Sequence, residues 1–424
     1  DHALATQQAG ADAYNVAVGH NAGYSVTTGT LNTIIGGLSG DALTTGAANT
    51  LTGYKAGSAI TSGSANTAFG YESLMTENAH GNNTAIGYRA LRVQDAGADA
   101  YNVAVGFDAG TAVTTGVRNT LIGSLAGDNL AGGSHNVAVG MYALSTEDSH
   151  GRNVAIGYSA LILQNAGADA YNVAIGYNAG QAVTTGGNNI LIGGKAGDAL
   201  TTGESNVAIG HAALSAEDAH GYNVAVGTNA LLTQNAGANA YNVAVGKDAG
   251  KAVTTGVNNV IVGGTAGDAV TTGSGNTIIG YNAAAATVSA GNETVIGQGA
   301  AGNGSNRITL GNGSISHIHC QVQSITALSD ERDKTNIENS EYGLNIIENL
   351  KPVTFEWDQR DGNRKGLKDV GFIAQDLQEV DNEYTRLVES SNPEKLQATY
   401  SRLIPIMAKA IQELSAEVKK LKNK

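Results

Sequence analysis

Of the chain's 424 residues, 54 of the 58 glycines lie before residue 329, whereas all three prolines and the single tryptophan lie after it, so two different kinds of protein are joined here. Residues 1–328 carry 9 Lys and Arg against 19 Asp and Glu, and residues 329–424 carry 15 against 18, giving nets of −10 and −3 within the total of −13. So few basic groups cannot displace counterions from nucleic acid or anionic lipid, which excludes both as main partners. The lone Cys320 rules out an intrachain disulfide framework. No apolar run approaches the roughly 18 residues of a spanning helix, so a soluble chain without membrane insertion is expected.

From Tyr14 onward the pattern Asn-Thr/Val-x-x-Gly recurs with its glycine at 19, 36, 53, 70, 87, 106 and so on to 297, spaced by 17 with 19 at three places. YNVAVG or YNVAIG restarts at Tyr101, Tyr171 and Tyr241, so a 70-residue block of four units has been duplicated. Each unit holds a short apolar stretch such as NVAVG, a small-residue segment and a Thr-Thr-Gly turn. Short strands between Gly, Asn and Thr at fixed intervals predict a mainly β protein over residues 1–311, a parallel β-solenoid or β-roll in which each coil stacks on the last. The glycine after each strand supplies a bend with positive φ, and the asparagine before it can bond its neighbours' backbone in a ladder. The aliphatic side chains are small, so one coil is expected to bury little and to leave an apolar seam. Three parallel copies about an axis would cover that seam.

The unit resembles the head repeats of trimeric adhesins and the repetitive fibre domains of phages and large viruses, over roughly residues 14–311. The resemblance implies a trimer in which NxAIG-like strands face the centre of a left-handed β-roll. His80, His150 and His220 recur every 70 residues, each before a glycine. We read them as a polar loop residue copied by duplication, a ring of metal-binding histidines being the alternative.

After Gly311 the repeat stops, and residues 312–328 read as a β neck. His317 and His319 are two apart and so share a strand face. In a parallel trimer six imidazoles would converge on the axis as an octahedral site for iron, nickel or zinc. The alternative is an inter-strand lining without metal, and no cofactor is required.

Residues 328–337 read Leu-Ser-Asp-Glu-Arg-Asp-Lys-Thr-Asn-Ile. Ser329, Asp330, Arg332, Lys334, Asn336 and Ile337 resemble the self-cleavage motif of the intramolecular chaperone auto-processing domain at the ends of phage tailspikes, tail fibres and endosialidases. The blocks GLNIIENLKPVTFEWD, VGFIAQDLQEV and YSRLIPIMAKAIQEL extend the likeness over nearly all of residues 328–424. It implies a single-turnover autoproteolytic serine endopeptidase in a small α+β domain, residues 329–398. A serine hydroxyl needs a base, and a partly desolvated lysine amine can be one. By resemblance Lys334 is that base and Ser329 the nucleophile, cutting between Leu328 and Ser329, with Asp330, Arg332 and Asn336 holding the loop. Taken alone, the segment would read as a charged turn with Ser329 as helix N-cap. Asp333 beside Lys334 would favour the protonated amine and slow cleavage.

In residues 399–424, Tyr400, Leu403, Met407, Ile411, Leu414, Val418 and Leu421 alternate steps of three and four, the seam of a trimeric coiled-coil helix. Pro405 marks a bend in that helix or its true start. The chain therefore reads as a homotrimeric viral tail fibre or spike. It would be made in the host cytoplasm and carried on the virion, binding a host surface receptor, glycan or protein, alongside other tail proteins. A bacterial trimeric surface adhesin and a tailspike polysaccharide depolymerase are the rivals. The latter needs gathered carboxylates, whereas Asp41, Asp128, Asp198 and Asp268 fall at separate turns, so no turnover enzyme is expected in the repeat body.

Overall fold

A computed structural model describes residues 2–10, 12–315, 318, 329–358, 365–390, 393 and 396–423. Leu328, His317, His319 and Cys320 lie outside the described residues, as does most of the expected neck. The chain divides into two units, Asp1–Asn312 and Gly313–Lys424.

In the first unit three-residue strands run from Val16–Val18 to Ile308–Leu310 in one parallel sheet of 18 strands. Each strand pairs with the one a turn later in unshifted register, Val103 opposite Thr120 and Thr120 opposite Val137. A rise of about 4.8 Å per turn makes the stack roughly 80 Å long. The middle residue of a strand points inward, so Ala104, Leu121, Ala138 and Ala155 are fully buried.

Volume in this core is shared between strand and turn. Where the strand supplies Ala138 or Ala155, the following turn supplies the buried Leu144 or Leu161. Where the strand supplies Leu121, the turn supplies Gly127, whose Cβ would stand 2.8 Å from the Leu121 Cδ2. Large and small thus alternate across facing rows to fill space without aromatics. The core therefore closes within one chain, contrary to the expectation that a single coil buries little. The middle strand residues face this core and not a shared axis. The outward pair on each strand is half-buried or exposed, Val16, Phe69, Ile122, Ile190, Val260 and Ile308 being among the exposed ones.

Two rows hold the turns in register. Asn119 donates its backbone N–H to Asn102 Oδ1 (2.8 Å), accepts at its own Oδ1 from the Asn136 N–H (2.9 Å), and donates Nδ2–H to the Gly133 carbonyl (2.9 Å). The same links repeat along the unit, so the asparagine ladder expected from sequence is present. In each 19-residue turn a glutamine joins it, as where Asn102 Nδ2 donates to Gln94 Oε1 at 2.6 Å. The strand-ending glycine is obligatory: Gly176 has φ of 139°, and a Cβ there would lie 2.6 Å from the Gly193 carbonyl oxygen. Exposed rings stack along the outside where successive turns carry them, Tyr54 on Tyr71, Tyr71 on Tyr88 and Tyr88 on Phe107 at 5.2–5.4 Å.

The second unit is small and α+β. It contains α1 (Leu344–Ile347), an antiparallel pair Pro352–Glu356 and Lys368–Phe372, α2 (Ala374–Gln378), a short pair Val388–Glu389 and Gln397–Ala398, and α3 (Leu403–Lys422). Ile346, Leu377, Leu387, Leu403 and Ile406 form its core. A 3₁₀ turn, Tyr400–Arg402, leads into α3, and Pro405 falls in the first helical turn, where its missing N–H leaves no bond unmade. No bend is required there.

Candidate functional site

The segment after residue 328 folds back on itself. Asp330 caps a 3₁₀ turn, Glu331–Asp333, by accepting the Arg332 backbone N–H at 2.9 Å. The Arg332 guanidinium returns to the same carboxylate, Nε to Oδ1 at 3.0 Å and Nη2 to Oδ2 at 2.6 Å. These donors hold the Asp330 carboxyl below its usual range. Asp330, not Ser329, is therefore the cap, because its longer carboxylate can serve the Arg332 amide and guanidinium together.

Closing that turn brings residue 334 over residue 329. The Lys334 backbone N–H bonds the Glu331 carbonyl at 3.0 Å, and its Nζ donates to Ser329 Oγ at 2.6 Å and to the Ser329 carbonyl at 3.2 Å. Asn336 turns the chain away with φ of 53°. Ser329 and Lys334 are solvent-exposed in the single chain. In the ammonium form Nζ donates to Oγ; as a neutral amine the same contact would accept the hydroxyl proton.

On α3 the expected seam divides. Leu403 is buried in the unit's own core, with Ile406 and Ala410 beside it, while Met407, Ile411, Leu414, Val418 and Leu421 form an exposed apolar stripe. The opposite edge of the helix is tied to α1 where the Leu344 N–H donates to Glu413 Oε2 at 2.8 Å.

In the solenoid, Asp128 and Asp198 accept short hydrogen bonds from Ser145 and Ser215 of the next turn, so these acids link coils and do not line a groove. Each repeated histidine lies against a glutamate three residues earlier, Glu77, Glu147 or Glu217, and all three glutamates are fully buried. Sequence reading missed these acids. Their signal is that they occupy a row which is aliphatic in most other turns.

A 3₁₀ turn thus sets a serine and a lysine side by side at the head of a small α+β unit. Residues 329–388 match the Peptidase S74 family, described as chaperone of endosialidase, so this chain carries an autoproteolytic intramolecular chaperone domain of that family. The long tail fiber protein Gp37 of Enterobacteria phage Ox2 is 34% identical over 115 residues, which are 27% of this chain and 43% of that relative. The chain thus spans less than half the length of that tail-fibre relative, and it carries its solenoid ahead of the matched domain.

Proposed function

We propose that this chain is a homotrimeric phage tail fibre for host attachment, whose C-terminal domain aligns three copies and then cuts the Leu328–Ser329 bond. The contact between Lys334 Nζ and Ser329 Oγ carries this reading. Lys334 takes the hydroxyl proton as Oγ attacks the Leu328 carbonyl carbon. The C–N bond then breaks as the Lys334 ammonium returns that proton to the departing Ser329 nitrogen, which leaves as a free amine, and water hydrolyses the resulting ester. The products are a free Leu328 carboxylate and a domain beginning at Ser329.

In one chain the amine is exposed, so the desolvation that favours its neutral form has to come from assembly. Cleavage would then follow trimerisation and not precede it. Two exposed apolar surfaces support association of identical copies: the α3 stripe, whose steps of four and three suit a coiled coil, and the β-branched strip of the solenoid sheet.

Intact-mass measurement of freshly made wild type beside Ser329→Ala and Lys334→Ala tests the chemistry. The wild type is expected to split after Leu328 while both variants stay whole. A wild type that remains whole as a trimer would leave the domain a passive cap and remove the proposed cleavage.

A further inference from the structure

One row of the solenoid core is aliphatic in most turns, as at Leu130, Val183, Leu200 and Val253, all fully buried. In each 70-residue block that row instead receives Glu77, Glu147 or Glu217, with no exposure. One oxygen of each accepts the backbone N–H of the histidine three residues on, at 3.3, 3.2 and 3.1 Å. The other needs are unmet: Oε2 of Glu147 and Glu217, and Nδ1 of His80, His150 and His220, are buried without a hydrogen-bond partner. The Ala166 amide faces the Glu147 carboxylate without reaching hydrogen-bond geometry. Each Nδ1 stands 3.3–4.0 Å from its glutamate Oε1.

A second carboxylate completes each group, and donor atoms of the trios Glu77/His80/Asp95, Glu147/Asp148/His150 and Glu217/Asp218/His220 lie within 4.8 Å of one another. The copies reach this count by different routes. The first block has Asn78 with Asp95 on the next turn; the others have Asp148 with Asn165 and Asp218 with Asn235. One Asp and one Asn are kept on the same two positions, which a copied loop drifting freely has no reason to do. Where this fold buries an acid for structure alone, it supplies amides: Glu293 accepts from the N–H groups of Ala286, Asn303 and Gly304 at 2.7–3.0 Å.

We propose that the three trios are divalent-cation sites, each offering one imidazole nitrogen and two carboxylates to a first-row transition ion such as zinc, with water completing the shell. The cation would compensate the Glu147 and Glu217 carboxylates, which the core otherwise strands; in the first block, where Glu77 already accepts from the Asn78 N–H at 3.2 Å and from Asn83 Nδ2 at 3.5 Å, it would clip one turn to the next through Asp95. This replaces the reading of the histidines as copied loop residues.

The test uses the full chain, stripped of metal and re-equilibrated with zinc sulfate. Bound zinc is measured by mass spectrometry of the element, and melting is followed with and without zinc. His80→Gln/His150→Gln/His220→Gln is expected to hold three fewer zinc ions per chain than wild type and to lose the zinc-dependent rise in Tm. His150→Gln alone should lose one. The comparison cancels any zinc held elsewhere in the chain. Asp95→Asn/Asp148→Asn/Asp218→Asn, which alters only exposed side chains, gives the same readout if the histidine variant folds poorly. Equal zinc in wild type and both variants overturns the proposal.

Discussion

Replacing Asn119 by Ala removes two bonds from the middle of the ladder while leaving the backbone bond to Asn102 Oδ1 in place. The Gly133 carbonyl loses its donor and the Asn136 N–H its acceptor. Asn119 and Asn136 are 1% exposed, so water does not readily substitute. A buried polar group left unsatisfied costs about 1–3 kcal/mol, which puts the pair at about 3–4 kcal/mol. Because each turn touches only its neighbours, the loss is local. Hydrogen exchange followed by mass spectrometry should show peptides spanning residues 102–136 exchanging roughly 100- to 1,000-fold faster, with turns beyond residue 200 unchanged. Asn119→Asp keeps the acceptor for Asn136 but sets a carboxylate against the Gly133 carbonyl, so it should be as damaging near neutral pH and recover on acidification. A change below about threefold in the alanine variant would refute the reasoning and make the asparagines mere spacers.

Two further outcomes follow from the same geometry. Burial pushes the Glu77 and Glu147 carboxyls up to about 7 and raises that of Glu217. The metal-free folded chain therefore holds protons that the unfolded chain releases, and stability falls as pH rises from about 4.5 to about 7, by up to roughly 3 kcal/mol for each of Glu77 and Glu147. His80, Asp95 and Asp99 face the first glutamate, and His150 and Asp148 the second, so denaturation midpoints in chelator at pH 5 and 8 should be compared with Glu77→Gln/Glu147→Gln, in which the fall is expected to shrink to the part that Glu217 keeps. On α3, Ile411→Glu with Leu414→Glu places charge on the exposed stripe and spares the core residues Leu403 and Ile406. Sedimentation should show loss of the proposed trimer, with uncut chain accumulating.

The period, the glycine bends and the asparagine ladder were legible because every turn states the same requirement and repetition makes it visible. Closure of the core was not. Leu144 and Leu161 sit in turns with positive φ, a place where no helical or strand periodicity marks a residue as buried. The glutamates escaped for a related reason, since Glu147 shares a row with Leu130 only once strand register fixes which turn residues stack. On α3, spacings of three and four describe both the buried edge at Leu403 and the exposed one at Leu414, and sequence alone could not say which faces the chain's own core. Ser329 and Lys334 were named from their motif and Asp330 and Arg332 as residues that hold the loop, but the means, a bidentate clamp between the last two, shows only in the structure.

These features also bear on why such a fibre would carry a disposable domain. On the outward strand positions Val, Thr and Ile recur almost without exception, Phe69 and Leu310 apart. Sliding one copy of the proposed trimer past the others by a turn therefore sets β-branched residues against β-branched residues again, and sliding by a 70-residue block restores nearly the same sequence. The strip supplies attraction but little register. Register then has to come from sequence that does not repeat, which the second unit provides through its own core and the α3 stripe. Once three copies have closed from that pinned end, the pin is no longer needed for the folded state, which is held by strands and ladders within each chain. Cutting at Leu328 would then leave the product stable through its unfolding barrier, since a chain that opened could no longer find its alignment.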